Sequence, residues 1–292
     1  MNGPSFSPRI VLLVSILAVS SASILIRMSS APPLAIAAYR MAISSVILFP
    51  YFAYNRGFHH VKKIGLKGLL SLVAIGLVLA VHFASWITSL SMTSVASSVI
   101  FVHIDPIFVA LASHFFLKER VDRITVVGIF IAIVGASIIA LGDAGIGEVN
   151  ILGDVLALIG GVMLALYILG GRLLRKSLDL TSYVVPVYLT SAIVLITGAW
   201  MMNIPLNGYS LFDYRLFIAI AIIPMIFGHT LYNWSLKYLE APVVSISLLG
   251  EPLGASILAA VLLNEIPNQN VFLGGALTLA GILVCAYHRK AG

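Results

Sequence analysis

Charged residues are what this sequence has least of. Among 292 residues there are 17 Lys and Arg and 11 Asp and Glu, so only 10% of the chain is charged, against about 25% in a typical soluble domain. A water-exposed surface cannot be built from so few charges. The composition therefore excludes an ordinary soluble enzyme, a nucleic-acid-binding protein and a disordered chain. With 60% hydrophobic residues and a mean hydropathy of +1.08, the chain is predicted to be a polytopic membrane protein.

Cysteine and the common catalytic motifs are also missing. A single cysteine, Cys285, excludes an intrachain disulfide and a cysteine-rich metal site. The sequence has no glycine-rich phosphate loop with its lysine, no HExxH and no GxSxG. We therefore expect no catalytic residues, no metal and no cofactor. His59 and His60, in a basic loop, are interpreted as a segment against anionic lipid, with a two-histidine metal site as the alternative.

Long apolar runs dominate what is present. A membrane-spanning helix needs about 20 largely apolar residues, and ten such stretches can be delimited. Because these runs are apolar on every face rather than alternating, helices are predicted and barrel strands are not. The ten predicted spans are Ile10–Met28, Leu34–Tyr54, Gly68–Leu90, Ala96–Phe116, Ile124–Leu141, Leu152–Gly170, Ser182–Met202, Tyr214–Leu236, Val243–Leu263 and Val271–Tyr287.

The positive residues between these spans predict the orientation. If the N-terminus lies inside, fourteen of the 17 Lys and Arg fall in cytoplasmic segments and only Arg215 falls in an opposite loop. Positive loop charge marks the cytoplasmic side, so both termini are predicted to be cytoplasmic and the protein to be a multi-pass protein of the cell (inner) membrane. Arg9, the apolar run Ile10–Val19 and the small residues Ser20–Ser23 also imitate a cleaved signal peptide. We favour a span, because the repeat described next requires one.

The two halves of the sequence carry the same pattern at an offset of 146 residues. The collinear matches are Ser89-Leu90 with Ser235-Leu236, Asp105-Pro106 with Glu251-Pro252, Leu117 and Glu119 with Leu263 and Glu265, and Gly128 and Gly135 with Gly274 and Gly281. We therefore predict two units, residues 1–145 and 146–292, each of five spans and joined near Gly142–Asn150. Because five is odd, the second half enters the membrane from the opposite face. Two inverted five-helix repeats are typical of secondary transporters.

The same repeated residues resemble the drug/metabolite transporter superfamily, specifically its EamA-type members. The matching runs are "SLSMTSVASSVIFVHIDPIFVALASHFFLKER" from Ser89 and "WSLKYLEAPVVSISLLGEPLGASILAAVLLNE" from Trp234, and Arg40 in "AAYRMAISSVIL" matches an arginine usual in the second helix. The resemblance covers nearly the whole chain. It implies ten helices in two EamA repeats and export or exchange of small metabolites, with amino-acid exporters as the best-known examples.

Asp105, Glu251 and Arg40 stand out among the ionisable residues within predicted spans, where a charge is costly and commonly functional. Asp105 and Glu251 occupy equivalent repeat positions directly before a proline, which opens the helix near the preceding turn. Each is a candidate charge partner or proton carrier. The alternatives are an ion pair with Arg40 that locks helices together, or a neutral carboxyl bonded to a freed carbonyl. For Arg40 we favour the structural role.

Two polar and aromatic stripes are predicted to line a central cavity. The first combines His82, Trp86 and Ser89 on one helix face, and the second combines His229, Tyr232 and Asn233 on the repeat-related helix. Such stripes suit a zwitterion and its side chain, and histidine could couple transport to protons. Interhelical hydrogen bonding is the alternative.

Weaker candidates for the same cavity are Phe101, His103 and Tyr167. Glu119 and Glu265 follow spans 4 and 9 and are interpreted as helix caps or anchors.

We therefore predict a secondary transporter, not an enzyme, that exports an amino acid or related metabolite by alternating access. Its partners would be a small-molecule substrate and the lipid bilayer, with protons if transport is proton-coupled, and no nucleic acid. The alternative within the superfamily is a sugar-phosphate, nucleotide-sugar or drug-type exchanger, which for phosphorylated substrates would need more basic residues than Arg40 and Arg27. Alternatives from other classes are an intramembrane enzyme with a lipid-like substrate, a channel and a scaffold.

Overall fold

The computed structural model describes residues 6–93, 95–119, 121–142, 150–263 and 269–288, and all regular structure in these ranges is helical. Residues 143–149 of the predicted junction lie outside the described residues, and so does Glu265. The α-helices are α1 (Pro8–Val19), α2 (Ala22–Arg27), α3 (Pro33–Tyr54), α4 (Gly57–Lys63), α5 (Gly65–Met92), α6 (Val95–Val102), α7 (Asp105–Ala112), α8 (Arg123–Gly142), α9 (Ile151–Leu174), α10 (Leu180–Met201), α11 (Leu211–Ile220), α12 (Leu231–Ser235), α13 (Ala241–Leu248), α14 (Glu251–Leu263) and α15 (Gln269–His288). Two π-helical segments, Ser113–Leu117 and Ala221–Thr230, follow α7 and α11.

Eight helical stretches of the described residues are long and apolar enough to cross a membrane. They correspond to the predicted spans 1 to 4 and 6 to 9. The two other predicted spans coincide with shorter apolar stretches, Arg123–Ile139 and Phe272–Cys285, within α8 and α15. The predicted all-helical architecture is thus confirmed for the described residues, and the eight long apolar helices are consistent with a polytopic membrane protein.

Predicted spans 4 and 9 are each broken near the middle, at the acid–proline pairs. Helix α6 ends at Val102 and α7 begins at Asp105, while α13 ends at Leu248 and α14 begins at Glu251. A proline fits the first turn of a helix because its missing N–H has no partner there, but it breaks a helix interior. Each acid therefore begins a new helix inside the bundle.

Spans 1 and 8 depart from regular helix in other ways. Between α1 and α2 the Ser20 hydroxyl donates to the Ile16 carbonyl at 2.7 Å and the Ser21 hydroxyl to the Ala18 carbonyl at 2.8 Å. Such side-chain bonds compete with the helical ladder and bend helices. In span 8 the π-helical segment contains Pro224, which cannot donate to the ladder.

Helices α8 and α15 pack against each other backbone to backbone through the repeated glycines. A Cβ atom on Gly128 would lie 2.9 Å from the Gly281 carbonyl oxygen, and one on Gly135 would lie 2.6 Å from that of Gly274. Because the earlier glycine of α8 meets the later glycine of α15, the two helices run antiparallel.

The remaining helices pack in pairs taken from the two halves. Helix α5 packs along α9, α3 packs along α10, and α1 packs against the π-helical segment Ala221–Thr230 and α12. These pairs surround the centre of the bundle, where the broken middles of spans 1, 4, 8 and 9 meet.

Candidate functional site

A small cavity lies near the midpoints of the helices, where polar and aromatic side chains meet apolar ones. It holds about 30 Å³ for the centres of water-sized spheres, enough for a very few water molecules and too little for an amino acid. Seven of the side chains lining the cavity are polar or aromatic and five are apolar. They are Arg40, His82, Trp86, His103, His229, Tyr232 and Glu251, with Val19, Ala22, Val102, Leu164 and Leu248.

His82 and Trp86 form one wall, as the first predicted stripe requires. Their rings stack almost parallel, with centroids 6.0 Å apart. His82 Nδ1 lies 2.8 Å from the Gly160 carbonyl oxygen, so this nitrogen carries the proton and Nε2 is left as an acceptor in the neutral ring. The buried Trp86 indole N–H has no hydrogen-bond partner among the described residues. This wall offers one unused donor and one acceptor.

His229 and Tyr232 form the facing wall from span 8. The Tyr232 hydroxyl and His229 Nδ1 share a hydrogen bond of 2.6 Å. The His229 ring centroid lies 6.3 Å from that of His82, so the structure brings these members of the two stripes together. Both histidines are nearly fully buried.

An acidic corner is built where the broken spans 4 and 9 meet. His103 Nε2 lies 3.5 Å from Glu251 Oε2, and His103 Nδ1 lies 2.9 Å from the Val99 carbonyl oxygen. Because the carbonyl can only accept, Nδ1 is the donor and Nε2 faces the carboxyl group. This geometry allows His103 and Glu251 to share a proton beside the cavity.

Asp105 lies close to this corner but does not line the cavity. It is fully buried, and its Oδ2 accepts a hydrogen bond from the Ser245 hydroxyl across to α13. Its Oδ1 has no hydrogen-bond partner among the described residues. Repeat-equivalent positions therefore hold two acids in different settings, and Glu251 is the one at the cavity.

Arg40 lies in the same cavity and is fully buried. Its guanidinium carbon lies 4.2 Å from the centre of the Phe83 ring. No described carboxylate forms an ion pair with it. The structural Arg40–acid pair considered from the sequence is therefore absent among the described residues.

Four other predicted site residues lie away from the cavity lining. Ser89 bonds to the Trp86 carbonyl at 2.7 Å and to the Ser98 hydroxyl at 2.6 Å. The Asn233 amide donates to the Tyr167 hydroxyl at 2.8 Å and to the His229 carbonyl at 2.6 Å, so this pair supports the wall from behind. Phe101 is 36% exposed on the bundle.

Sequence reasoning did not identify the apolar lining residues. Nothing in a hydrophobic span distinguishes Ala22 or Leu164 from a packing residue. Phe83, whose ring faces the Arg40 guanidinium, was missed for the same reason.

A second polar cluster, here called the Glu119 cluster, consists of Glu119, Arg172 and Arg175 with the backbone of 233–241. Arg172 Nε donates to Glu119 Oε1 at 2.6 Å, and Glu119 Oε2 accepts from the Ala241 N–H at 3.2 Å. Arg175 Nε donates to the Asn233 carbonyl at 3.1 Å, and its Nη1 donates to the Leu178 carbonyl. Burial lowers the Arg175 pKa to about 10, so it stays charged at neutral pH. Glu119 thus caps α13 and anchors α9, as predicted.

No group of three or more His, Cys, Asp or Glu in the described part of the chain could hold a metal ion. His60 instead lies 2.8 Å from Asp179 Oδ2 at the start of α10. The two-histidine metal alternative therefore has no third ligand among these residues.

Known proteins share both the sequence pattern and the fold. The chain is similar to an uncharacterized transporter of Archaeoglobus fulgidus, with 28% identity over 88% of this chain and 90% of the relative. It is also similar to the uncharacterized transporter YyaM of Bacillus subtilis, with 24% identity over 87% and 84%. A solved crystal structure shares the fold at a TM-score of 0.82 with 16% identity, covering 98% of this chain and all of that one.

The EamA-like transporter family model matches the chain twice, over residues 8–141 and 151–287. The two matches together span nearly the whole sequence and confirm the resemblance to EamA-type transporters. The chain belongs to the EamA-like transporter family.

Proposed function

We propose that this transporter exports an amino acid or a closely related small metabolite by alternating access, with the central cavity as its substrate site. The observation that carries the proposal is the cavity itself. It lies at mid-helix depth, is lined by both halves of the chain, and combines a cation, an acid and stacked rings. Substrate sites of secondary transporters lie at such an interface.

The glycine contacts of α8 and α15 support inverted repeats. Gly274 and Gly281 are the repeat mates of Gly128 and Gly135, and the contacts are Gly128 with Gly281 and Gly135 with Gly274. Reciprocal contact of this kind is what a two-fold axis produces. Since the helices run antiparallel there, the axis would lie in the membrane plane.

The same exchange of halves relates other helix pairs. If the two halves are exchanged, the contact between α5 and α9 becomes the contact of α1 with the π-helical segment Ala221–Thr230 and α12. The contact between α3 and α10 is unchanged by the exchange. We therefore propose ten spans in two inverted units, 1–145 and 146–292. The loop charges support cytoplasmic termini in the cell membrane.

The small cavity volume supports a cycle with a closed state. About 30 Å³ cannot hold an amino acid, so the helices must move to admit one. The broken spans 1, 4, 8 and 9 meet at the cavity and supply places where helices can bend.

The His103–Glu251 pair supports coupling to protons. A carboxyl group 3.5 Å from an imidazole can release or take up a proton as the cavity opens to either side. In the same position Glu251 could receive the ammonium group of a substrate.

The cavity favours amino acids over phosphorylated substrates. A phosphate carries about two negative charges, and binding it takes several cations. Among the described residues, one arginine and no lysine line the cavity.

Counterflow in proteoliposomes tests the proposal. Vesicles with the purified protein are preloaded with one unlabelled L-amino acid at a time and given a trace of the labelled compound outside, with and without a pH gradient. Saturable accumulation for some preloads supports an amino-acid carrier, and its response to the gradient reports proton coupling. Absence of accumulation across the panel, from protein with a cooperative thermal transition, would contradict the amino-acid proposal.

A further inference from the structure

Arg40 is a buried cation whose hydrogen-bonding capacity is mostly unused. It lies in the middle of the bundle on α3, with no solvent exposure. A charged group taken out of water is costly unless it is paired and hydrogen-bonded. Five N–H donors of a guanidinium are available to partners.

The described residues offer these donors few good acceptors. Nε points at the Met225 sulfur at 3.4 Å, and thioethers are weak acceptors. Nη2 lies 3.5 Å from the Pro224 carbonyl oxygen, a long contact, and Nη1 has no partner among the described residues. The Phe83 ring covers one face of the group at 4.2 Å.

The other fully buried arginine shows what a structural role looks like in this fold. Arg175 donates hydrogen bonds from Nε to the Asn233 carbonyl and from Nη1 to the Leu178 carbonyl. Arg40 has a sulfur, an aromatic face and one distant carbonyl instead. These neighbours hold the guanidinium in place but leave its charge unmatched.

We propose that Arg40 binds the carboxylate of the transported substrate; this inference rests on the proposed function and assigns the substrate its charged group. A guanidinium presents a planar fork that matches a carboxylate. Phe83 and Met225 orient the fork and exclude water around it.

Glu251 adds a second recognition point in the same cavity. It lines the wall and forms no ion pair with Arg40, and among the described residues its ionisable partner is His103. A zwitterion would place its carboxylate at Arg40 and its ammonium at Glu251. The two charges of the protein are then matched by one ligand.

Competition by carboxamides tests the assignment. For each L-amino acid that gives counterflow in the wild-type protein, its carboxamide, which keeps the amino group and lacks the carboxylate charge, is added as a competitor. We expect the amide to compete at least ~30-fold more weakly than the acid, because truncating one side of a buried charged pair commonly costs this much.

The variant Arg40→Gln should lower counterflow of the acid by a similar factor and bring the acid-to-amide ratio close to one. Arg40→Lys, which keeps the charge and loses the fork, should retain an intermediate ratio. Arg175→Gln is the matched control, since it removes a buried arginine outside the cavity. It should lower thermal stability and leave the ratio unchanged.

Three results would overturn the assignment. They are equal competition by acid and amide in the wild type, an unchanged acid-to-amide ratio in Arg40→Gln, and an unchanged ratio in Arg40→Lys if the glutamine variant does not fold.

Failure of the proposed function is seen separately. If no amino acid exchanges, carboxylates without an amino group are preloaded next. Their exchange would reject the amino-acid proposal and keep Arg40 as the carboxylate site, whereas exchange of neutral or cationic compounds only, or of nothing, would reject both.

Discussion

The Glu119 cluster and the central cavity both bury charged groups, but the two regions differ in how many hydrogen-bond partners those groups have. In the Glu119 cluster the carboxylate accepts hydrogen bonds from an arginine and from a backbone N–H. Both arginines also donate hydrogen bonds to backbone carbonyls. In the cavity, Arg40 Nη1 and Trp86 Nε1 have no hydrogen-bond partner among the described residues.

This difference separates support from recognition. A group whose hydrogen bonds are complete within the protein holds helices together and has nothing left for a ligand. A buried group with unused capacity costs stability in the absence of a ligand, and such groups cluster at functional sites. Substitution of Glu251 and of Glu119 tests this contrast directly, one in each region, and two smaller effects are expected where helices pack closely and at a helix cap.

Glu251→Gln should lower exchange at least ~10-fold and flatten its pH dependence. Glutamine keeps the shape of the side chain but can neither carry a proton nor attract an ammonium group. Exchange is measured by counterflow over a range of pH. Glu119→Gln is the matched control and should retain the pH dependence, because Glu119 lies outside the cavity. Unaltered exchange and pH dependence in Glu251→Gln would show that this carboxyl is not part of the transport site.

Glu119→Ala should destabilise the protein by about 3 kcal/mol, because it leaves the largely buried Arg172 without its carboxylate. The loss is measured as a lower thermal unfolding temperature in detergent. The double variant with Arg172→Ala should lose less than the sum of the two single variants, as expected for a coupled pair. Strictly additive losses would mean that the pair does not interact.

Gly135→Ala should destabilise by about 1–3 kcal/mol, because a methyl group there would lie 2.5 Å from the Thr278 nitrogen of α15. Gly198→Ala is the control: its nearest neighbour is a Leu34 methyl carbon at 3.8 Å, so alanine fits and should be neutral or stabilising. Thermal unfolding distinguishes the two. Equal effects would argue against close contact of α8 with α15.

Asp179→Asn should have the smallest effect and should depend on pH. Burial raises the Asp179 pKa, but hydrogen bonds from Ser182, His60 and Thr181 outweigh it and lower the pKa below the usual 3.8. A lowered pKa stabilises the fold above the unfolded-state pKa, and this contribution is lost as the pH falls through the folded-state pKa. Wild type should therefore unfold at a higher temperature than the variant near pH 6, and the gap should narrow below about pH 3.8. A constant gap would contradict this assignment.

The sequence predicted much of the fold because the physics is local and repetitive. Apolar runs of membrane length located the helices, and the acid–proline pairs located the breaks before Asp105 and Glu251. The contact between α8 and α15 was not predicted, because the repeat shows which glycines are equivalent and not which helices meet.

The candidate site was predicted less completely. His82, Trp86, His229 and Tyr232 could be placed together because polar stripes at helical spacing must share a face. The partners of Arg40 could not be predicted, since they depend on how three helices cross. The hydrogen bond between Asn233 and Tyr167 behind the wall could not be predicted either, because it depends on how α9 is rotated against span 8, which helical periodicity does not reveal.

The most direct test of the central claim is thiol modification inside the cavity. Ala22, a small lining residue, is changed to cysteine in a Cys285→Ala background and treated with a charged, membrane-impermeant reagent during exchange. The account predicts that modification blocks exchange, that saturating substrate slows it, and that cysteine at the fully buried Ala199 of α10 does not react. Complete modification at position 22 with exchange unaltered would show that the substrate does not pass through this cavity.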